Sequence, residues 1–539
     1  MTTTPVLIVG GGIVGLSASL FLLQHGVTPL LIEKHPGTSI HPRARGFDTR
    51  TMELYRELRI ADAIREAGKA LAPGWGILRG PSLYETLHRT KRGKKKSPQD
   101  LPGSKTLAAM SPETGARCTQ DLSEPVLLAA AGQRGADIRF NTEMISFAQH
   151  DEYVLVTVRH RETGEKSCIK ADYVIAADGA GSTIRKTLQV PTEGRGAISN
   201  LLNIYFEADL RDFVARREFS ILLIKTPEMQ GMLTSINNSD RWVFHLHYDP
   251  AKGESPEDFT TEKVTAILQK VIGIPGIAIR VISILPWQPT VRVVENMQHG
   301  RIFFAGDAAH TMTPYGGKGA NTGIQDVHNL AWKLAFVLKG LATPALLSTY
   351  SAERQPVGLH NSLLSGKWAD GNGLLKKNAM LVKILVNTII RASIAQVLGL
   401  KGTHRRLVLQ NLGNLVGLPD YRYGSGYQII EDFNAEPGTR FPHSWIEHNG
   451  QNISTLDLLG KGFVLFAGPG FHENIGGNDI AGKDNAGQRT TIPLAIHPLE
   501  EIKGATLVRP DGFVAWRTER SCNWNEITAE LNRCSHSAP

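Results

Sequence analysis

Cysteine is scarce in this sequence, and the few cysteines present lack the spacing of a dithiol motif or a metal site. The 539 residues include four, with neither a C-x-x-C pair nor the paired spacing of a zinc site: Cys118, Cys168, Cys522 and Cys534. A disulfide-stapled scaffold and a structural zinc domain are therefore excluded, and we expect no metal. Free structural thiols in a chain of this size favour a reducing compartment, so a cytoplasmic protein is expected.

Long apolar runs are also lacking. The longest, residues 379–400, is interrupted by Lys383 and Arg391, which favours a core or domain-contact helix over a membrane span. An amphipathic helix on a membrane surface is the alternative. Met1–Thr4 leads directly into an apolar strand, so no signal peptide is predicted.

Aromatic residues are absent where positive charge is densest. The net charge is +8, and the basic run Lys91–Lys96 contains no aromatic residue on which bases could stack. We interpret this run as a solvated loop and expect no nucleic-acid partner. The surplus charge is better suited to attracting the phosphates of dinucleotides.

The N-terminus carries the one G-x-G-x-x-G unit of the sequence. An apolar strand, residues 6–9, precedes its glycines, which are Gly10, Gly12 and Gly15. A helical pattern follows, and Glu33 then ends a second apolar strand. Glycines let a pyrophosphate approach the backbone at a helix start, and the acid can accept ribose hydroxyls. The pattern predicts a dinucleotide-binding β-α-β unit.

A second strand pattern, residues 172–177, closes on the turn Asp178-Gly179. Ser182 and Arg185 stand at helical spacing after it. An ordinary strand-to-helix connection would explain the pattern, but an acid-glycine turn followed by these polar residues is more typical of a shaped turn.

A third segment follows the apolar run 301–305. Asp307 comes first, then a Gly-rich turn and a long helical pattern. The aspartate can hold sugar hydroxyls, while the amides of Gly317, Gly319 and Ala320 can point at an anionic or electron-rich group near a helix start. The segment predicts a site for a phosphorylated or polyol-bearing cofactor.

Together these segments resemble the single-component FAD-dependent aromatic hydroxylases, or class A flavoprotein monooxygenases, over residues 1 to about 365. The resemblance is carried by GGGIVG at 10–15, ADGAGSTIR at 177–185 and GDAAHTMTPYGGKGANTGIQDVHNLAWKLA at 306–335. The segment HPRARGFDTRTMELYRELRI at 41–60 and the chain length most resemble members that oxidise polycyclic natural products, such as aklavinone or tetracenomycin hydroxylases.

The resemblance implies FAD as cofactor and NADPH or NADH as co-substrate. The first glycines would approach the FAD pyrophosphate, Glu33 the adenosine ribose and Asp307 the ribityl chain. Gln120, ahead of a helix expected over 124–131, would contact the flavin side. The candidate cofactor-binding residues are Gly10, Gly12, Gly15, Glu33, Arg43, Gln120, Asp178, Asp307, Pro314, Gly317, Gly319, Ala320 and Asn321. Thr313-Pro314 stands where the family often has two prolines, which is expected to alter the pocket floor mildly.

The resemblance also implies an α/β fold in three parts. A Rossmann-like FAD-binding domain of the glutathione-reductase type would comprise residues 1–75, 110–190 and 290–365. Residues 190–290 alternate in strand fashion, so with 76–109 they are expected to form an antiparallel β-sheet over the substrate cavity. Connecting helices over 366–404 and a thioredoxin-like C-terminal domain over 405–539 complete the expected chain. Without C-x-x-C that last domain cannot exchange dithiols.

The implied activity is the hydroxylation of a small phenolic or polycyclic aromatic substrate. NAD(P)H would reduce FAD, and dioxygen would then form a C4a-hydroperoxide that passes oxygen to the ring. The lack of a second G-x-G-x-x-G unit suits transient NAD(P)H docking. Baeyer-Villiger oxygen insertion and a non-catalytic flavin-binding assembly protein are the alternatives, and a homodimer is left open.

Catalytic residues are not fixed by these motifs. His245 and His247 are expected on one face of a strand, with Tyr248 opposite, and any of the three could act as the base that activates a phenol. Ordinary sheet polarity explains them equally well. Tyr315 is a further candidate because its motif places it beside the flavin.

Overall fold

The computed structural model describes residues 1–71, 76–90, 111–227, 229–376, 436–469, 480–483, 489–520, 522 and 524–536. Its strands are β1 (Thr2–Val9), β2 (Leu30–Ile32), β3 (Ile77–Gly80), β4 (Asp137–Arg139), β5 (Thr142–Gln149), β6 (Val154–His160), β7 (Lys166–Ala176), β8 (Thr192–Ala197), β9 (Leu201–Glu207), β10 (Ile221–Lys225), β11 (Gln230–Ser235), β12 (Arg241–His247), β13 (Arg280–Trp287), β14 (Thr290–Val294), β15 (Gln298–His299), β16 (Ile302–Phe304), β17 (His310–Thr311), β18 (Trp445–His448), β19 (Gln451–Ser454), β20 (Phe463–Ala467), β21 (Ile480–Lys483), β22 (Arg489–Ile492), β23 (Leu494–Pro498), β24 (Ala505–Val508) and β25 (Val514–Thr518). Its helices are α1 (Ile13–Gln24), α2 (Thr49–Glu57), α3 (Ala61–Ala67), α4 (Leu83–His88), α5 (Gln120–Gln133), α6 (Thr183–Thr187), α7 (Arg211–Val214), α8 (Thr261–Ile272), α9 (Gly319–Leu338), α10 (Ser348–Lys367) and α11 (Trp524–His536).

The first sheet is largely parallel, in the order β15-β16-β7-β1-β2-β4, and β6 pairs with β7 and β5. Residues 6–9 of β1 are buried, as expected for a parallel strand covered on both faces. Val9 pairs with Ala176, and Ala176 pairs with Phe304. The strands β1, β7 and β16 therefore end side by side, and the three turns predicted from the sequence follow them at one edge of the sheet.

The second sheet has the order β13-β9-β12-β11-β10-β3 and is antiparallel except where β3 pairs with β10. One face buries alternate residues such as Ile204 and Phe244 against apolar residues of α4 and α8. The opposite face carries Asn203, Met232 and His245, which are aligned across neighbouring strands. His245 and His247 on this second face are half-buried, so it is the more open face of the sheet.

The C-terminal part contains a four-stranded sheet, β23-β20-β24-β25. The strand β20 runs parallel to β23 and antiparallel to β24. Ile527 and Leu531 of α11 pack with Phe463 of this sheet and with Trp332 and Phe336 of α9 in one apolar cluster. The C-terminal part therefore shares a core with the long helix α9.

Some expectations fall outside the described residues, including the basic run 91–96, the apolar stretch 379–400 and most of the connecting segment 366–404. Among the helices that are described, none has the length and apolar character needed to cross a membrane. All four cysteines are free. Within the part of the chain that the structure describes, no group of histidine, cysteine or acidic side chains could hold a metal.

Candidate functional site

The Gly10 turn and the Asp178 turn are in direct contact. Gly10 has φ +113°, and a Cβ there would lie 2.3 Å from the carbonyl oxygen of Ala177 and 3.1 Å from the amide nitrogen of Asp178. Both the backbone conformation and the close approach require glycine. The two turns therefore form one continuous surface at the end of β1 and β7.

The Asp307 turn joins this surface through α1 and α9. A Cβ on Gly323 would lie 2.6 Å from Cγ2 of Val14 and 2.9 Å from Cα of Gly306, so the two helices begin beside each other. Neither helix has a side chain that caps its N-terminus by a hydrogen bond. Their first amide groups can therefore serve a ligand, and the two helix dipoles favour negative charge at this place.

The residues around these turns fit FAD. A Cβ on Gly317 would meet no atom within 4 Å, and one on Gly12 or Gly319 would meet none closer than 3.6 Å. The backbone is therefore open where the pyrophosphate and the flavin ring are expected. Asp307 is exposed although its turn lies between two buried helices, and Oδ1 of Asp178 is buried with no hydrogen-bond partner among the described residues. Both carboxylates are available to cofactor hydroxyls.

Glu33 lies where the sequence predicts it. Its Oε2 atom accepts a hydrogen bond from the amide of Gly11 at 2.6 Å, and Oε1 accepts one from the amide of His35 at 2.9 Å. The carboxylate is thus oriented beside the first glycine turn, at the end of β2.

Gln120 is the first residue of α5, which corrects the expected helix start at residue 124. The extended backbone of Thr119 serves as the N-cap, so the helix includes the whole turn before Pro125. The amide of Gln120 donates to the carbonyl oxygen of Arg43 at 2.7 Å. The structure therefore brings these two candidate residues together, and Arg43 itself is exposed.

Glu124 is a contributor that sequence reasoning missed. Its buried carboxylate accepts hydrogen bonds from the amide of Ser39 at 2.7 Å and from Nε2 of Gln120 at 2.6 Å. A Cβ on Gly12 would lie 3.6 Å from Oε1 of Glu124. Burial raises the pKa of this carboxyl, against the effect of its hydrogen bonds. An acid four residues after Gln120, on the same face of a helix, was the available signal.

Arg185 links the two aspartate turns. Its guanidinium donates to the carbonyl oxygen of Ala308 at 2.7 Å and to that of Ala180 at 2.6 Å. Although Asp307 is exposed to solvent, desolvation by the protein around it raises its pKa, while the charges of His310, Arg43 and Arg185 oppose this shift. Burial likewise raises the pKa of Asp178.

A second missed group is the fully buried Asp326. Its carboxylate lies 2.6 Å from Nε2 of His310 and accepts a hydrogen bond from Nε of Arg354 at 2.9 Å. It also accepts the amide of Gly306 at 3.2 Å. Asp326 therefore fixes the turn that presents Asp307. Its place within a long helical pattern gave no sign of this role.

The side chain of Asn321 is engaged within the protein. Its Oδ1 atom accepts the amide of Asp48 at 2.9 Å, and its Nδ2 atom donates to the carbonyl oxygen of Gly317 at 2.7 Å. The buried side chain thus ties the loop before α2 to the Gly-rich turn. Its amide, at the start of α9, is the group that remains for a cofactor.

Three of the catalytic candidates lie around one face of the second sheet, because Tyr315 clusters with Leu201 and Met232, the cross-strand neighbours of His247 and His245. The hydroxyl of Tyr315 donates to the carbonyl oxygen of Gly373 at 2.8 Å, and its ring packs with Leu201 and Met232. His245 and His247 lie on one face of β12, as expected. Nδ1 of His245 is paired with Oδ1 of Asn203.

Comparison with known proteins identifies the class that this fold and these turns define. A family model described as an FAD binding domain matches residues 3–361, and one described as aromatic-ring hydroxylase, C-terminal, matches residues 434–537. The chain belongs to this family of FAD-dependent monooxygenases, which confirms the resemblance drawn from the three sequence motifs.

Particular relatives refine this class. Tetracenomycin A2 monooxygenase-dioxygenase of Streptomyces glaucescens is 36% identical over 96% of this chain and 93% of its own length. For 4-methyl-5-nitrocatechol 5-monooxygenase of a Burkholderia species, the values are 31%, 95% and 94%. Among solved structures, aklavinone-11 hydroxylase with FAD and aklavinone matches with a TM-score of 0.75, 28% identity and 99% coverage of both chains. The flavin-dependent monooxygenase PieE with FAD and substrate matches with a TM-score of 0.76, 27% identity and 99% and 98% coverage.

Proposed function

We propose that this protein hydroxylates a phenolic or polycyclic aromatic compound, using FAD as cofactor and NADPH or NADH and dioxygen as co-substrates. The observation that carries the proposal is the convergence of the Gly10, Asp178 and Asp307 turns at one edge of the first sheet. Aklavinone-11 hydroxylase and PieE, which match nearly the whole chain, were solved with FAD and their substrates.

Each turn has a proposed task at the cofactor. The amides of Gly12 and the following turn of α1 would bind the pyrophosphate, Glu33 the adenosine ribose and Asp307 the ribityl chain. Bound FAD would take electrons from NAD(P)H and react with dioxygen to supply an electrophilic oxygen. The amides of Gly319 and Ala320 would stabilise negative charge that gathers on the ring, because they are fixed at a helix start before the reaction begins.

The substrate is proposed to lie between these turns and the open face of the second sheet. Tyr315, Leu201 and Met232 form a buried apolar cluster there, together with the half-buried Trp287, and we propose this cluster as one wall of the substrate site. Such a wall suits a flat, apolar ring system and keeps water from the reacting oxygen. Relatives named for tetracenomycin, aklavinone and nitrocatechol substrates support an aromatic substrate.

The domain division is part of the proposal. We assign residues 1–75, 110–190 and 290–365 to the FAD-binding domain and 76–109 with 190–290 to the substrate domain. A thioredoxin-like domain over residues 405–539 is supported by the order β23-β20-β24-β25, by the parallel pair β20 and β23, and by the final helix α11. Its shared core with α9 supports a stabilising role, and the whole enzyme is proposed to act in the cytoplasm.

The test begins with the purified protein and its flavin spectrum. A panel of aromatic metabolites is then screened for accelerated NADPH and NADH oxidation, dioxygen consumption and products heavier by oxygen. NMR of the product places the new oxygen, since mass alone does not separate hydroxylation from Baeyer-Villiger insertion. Failure to bind FAD would contradict the proposal. Tight FAD binding without substrate-accelerated reduction would favour the flavin-binding assembly protein instead.

A further inference from the structure

A polar pair, Asn203 and His245, lies in the middle of the open face of the second sheet. The two residues face each other across β9 and β12, and Met232 is aligned with His245 on the other side. Apolar groups flank the pair: the cluster of Leu201 and Tyr315 lies toward one side, and Tyr205 packs with other apolar residues in a separate cluster. Polar groups at such a place cost free energy unless they are paired.

The pair is itself only partly satisfied. Asn203 is 5% exposed, and its Oδ1 atom is engaged by Nδ1 of His245. Nε2 of His245 has no hydrogen-bond partner among the described residues, and it is not a buried atom. The ring of Trp287 lies with its centroid 6.0 Å from that of His245. The hydrogen bond at Nδ1 thus fixes the orientation of the imidazole, and Nε2 remains accessible.

Burial, together with nearby positive charges, keeps this imidazole neutral. Burial lowers the pKa of His245 to about 3, and Arg45 and His41 lower it further through their positive charges. With the carbonyl oxygen of Asn203 as the acceptor, the proton lies on Nδ1 and the lone pair on Nε2. An imidazole with so low a pKa is a poor base for a phenol, whose ordinary pKa is near 10. It remains a hydrogen-bond acceptor.

We propose that His245, oriented by Asn203, selects the substrate by accepting a hydrogen bond from an un-ionised hydroxyl group on its ring system. This inference rests on the proposed function and names the substrate class more narrowly, as a planar polycyclic compound with a hydroxyl group at the position facing β12. Arg45 does not replace this contact, because its guanidinium already donates to the carbonyl oxygens of Ser220 and Ser235 and to the hydroxyl of Ser220.

The first experiment uses the FAD-loaded enzyme and two ligands, a hydroxylated substrate from the panel and its analogue without that hydroxyl group. Binding is followed by the change in flavin absorbance. His245→Phe is expected to weaken binding of the hydroxylated ligand about tenfold, as loss of one hydrogen bond implies, and to leave the analogue unchanged. Equal loss for both ligands, or no loss, would overturn the proposal.

Asn203→Asp is a second test variant. It should change the pH dependence of ligand binding, which a merely structural role of Asn203 would leave unchanged. The carboxylate would raise the pKa of His245 by stabilising its protonated form. A protonated ring has no lone pair on Nε2, so binding of the hydroxylated ligand by this variant should weaken as the pH falls from 8 to 5. The wild-type enzyme should show no such dependence. If binding by the variant and by the wild type varied with pH in the same way, the proposal would be contradicted.

These experiments distinguish loss of the proposed hydroxylase function from loss of the His245 contact. If no ligand accelerates NAD(P)H oxidation by the wild-type enzyme, the proposed function is wrong, whereas the absorbance titrations still test His245. If turnover occurs but the two ligands respond alike to His245→Phe, the hydroxylase function stands and the assigned selection is wrong.

Discussion

Oδ2 of Asp511 accepts a hydrogen bond from Nδ2 of Asn329 at 3.0 Å, and this bond joins the C-terminal part of the chain to the helix that begins at Gly319. Nε1 of Trp332 donates to the same oxygen at 3.2 Å. The carbonyl oxygen of Asp511 accepts from Arg50 of α2 at 2.9 Å. The turn that carries Asp511 therefore contacts both α2 and α9, and the starts of these two helices are linked at the candidate cofactor site by Asp48 and Asn321.

Asp511→Ala should strongly destabilise the enzyme. The change removes one of the two carboxylates that pair with Arg509, the other being Glu353, and removes the acceptor for Asn329 and Trp332. Losing hydrogen bonds to a buried charged group costs about 1.5–3 kcal/mol each. The free energy of unfolding, measured by urea denaturation of the FAD-loaded enzyme, checks this. Glu530→Ala is the control, because its pair with Arg533 is exposed and should contribute less than about 1 kcal/mol. Similar losses of unfolding free energy for the two variants would contradict this role of Asp511.

The buried carboxylate of Asp326 predicts a pH dependence of stability. Burial raises its pKa, but the charges of His310 and Arg354 and their hydrogen bonds overcome this, so the pKa lies below its ordinary value. A carboxyl with a depressed pKa stabilises the fold above its unfolded pKa of about 4, and this stabilisation is lost as the pH falls toward the folded pKa. The melting temperature of Asp326→Asn should therefore be well below that of the wild type at pH 7, with a smaller difference near pH 3. A difference in melting temperature that did not change with pH would contradict a lowered pKa of Asp326.

The three cofactor turns were predictable because each has a local signature of strand, glycine turn and helix. The open sheet face was predictable from alternation, which places His245 and His247 together. The side-chain pairs that hold these elements together could not be predicted. His310 and Asp326 are 16 positions apart, and Asn329 and Asp511 are 182 apart. Such pairing depends on how the elements pack, and no local pattern of residues reports it.

Two glycines of the first turn should respond differently to alanine. A Cβ on Gly15 would lie 1.9 Å from the carbonyl oxygen of Gly10, so Gly15→Ala should disrupt the turn and lower the melting temperature of the apoprotein. A Cβ on Gly12 meets only an ordinary contact at 3.6 Å. Gly12→Ala should therefore fold normally but bind FAD more weakly, because the methyl group enters the space expected for the pyrophosphate. Circular dichroism melts and flavin fluorescence titrations separate these effects. Undiminished FAD affinity in Gly12→Ala would contradict this position for the pyrophosphate.

Asp307→Ala should loosen FAD about tenfold or more, because a carboxylate that accepts hydrogen bonds from the ribityl hydroxyls contributes more than a neutral acceptor does. The control replaces the lysines at 94 to 96 with glutamine, which removes three positive charges from the sequence. If the basic run only adds to the long-range field, this control should alter FAD association at low salt and little else. The dissociation constants at low and at physiological ionic strength distinguish the two roles. Equal losses of affinity for both proteins at physiological salt would show that charge, and not the Asp307 turn, governs cofactor binding.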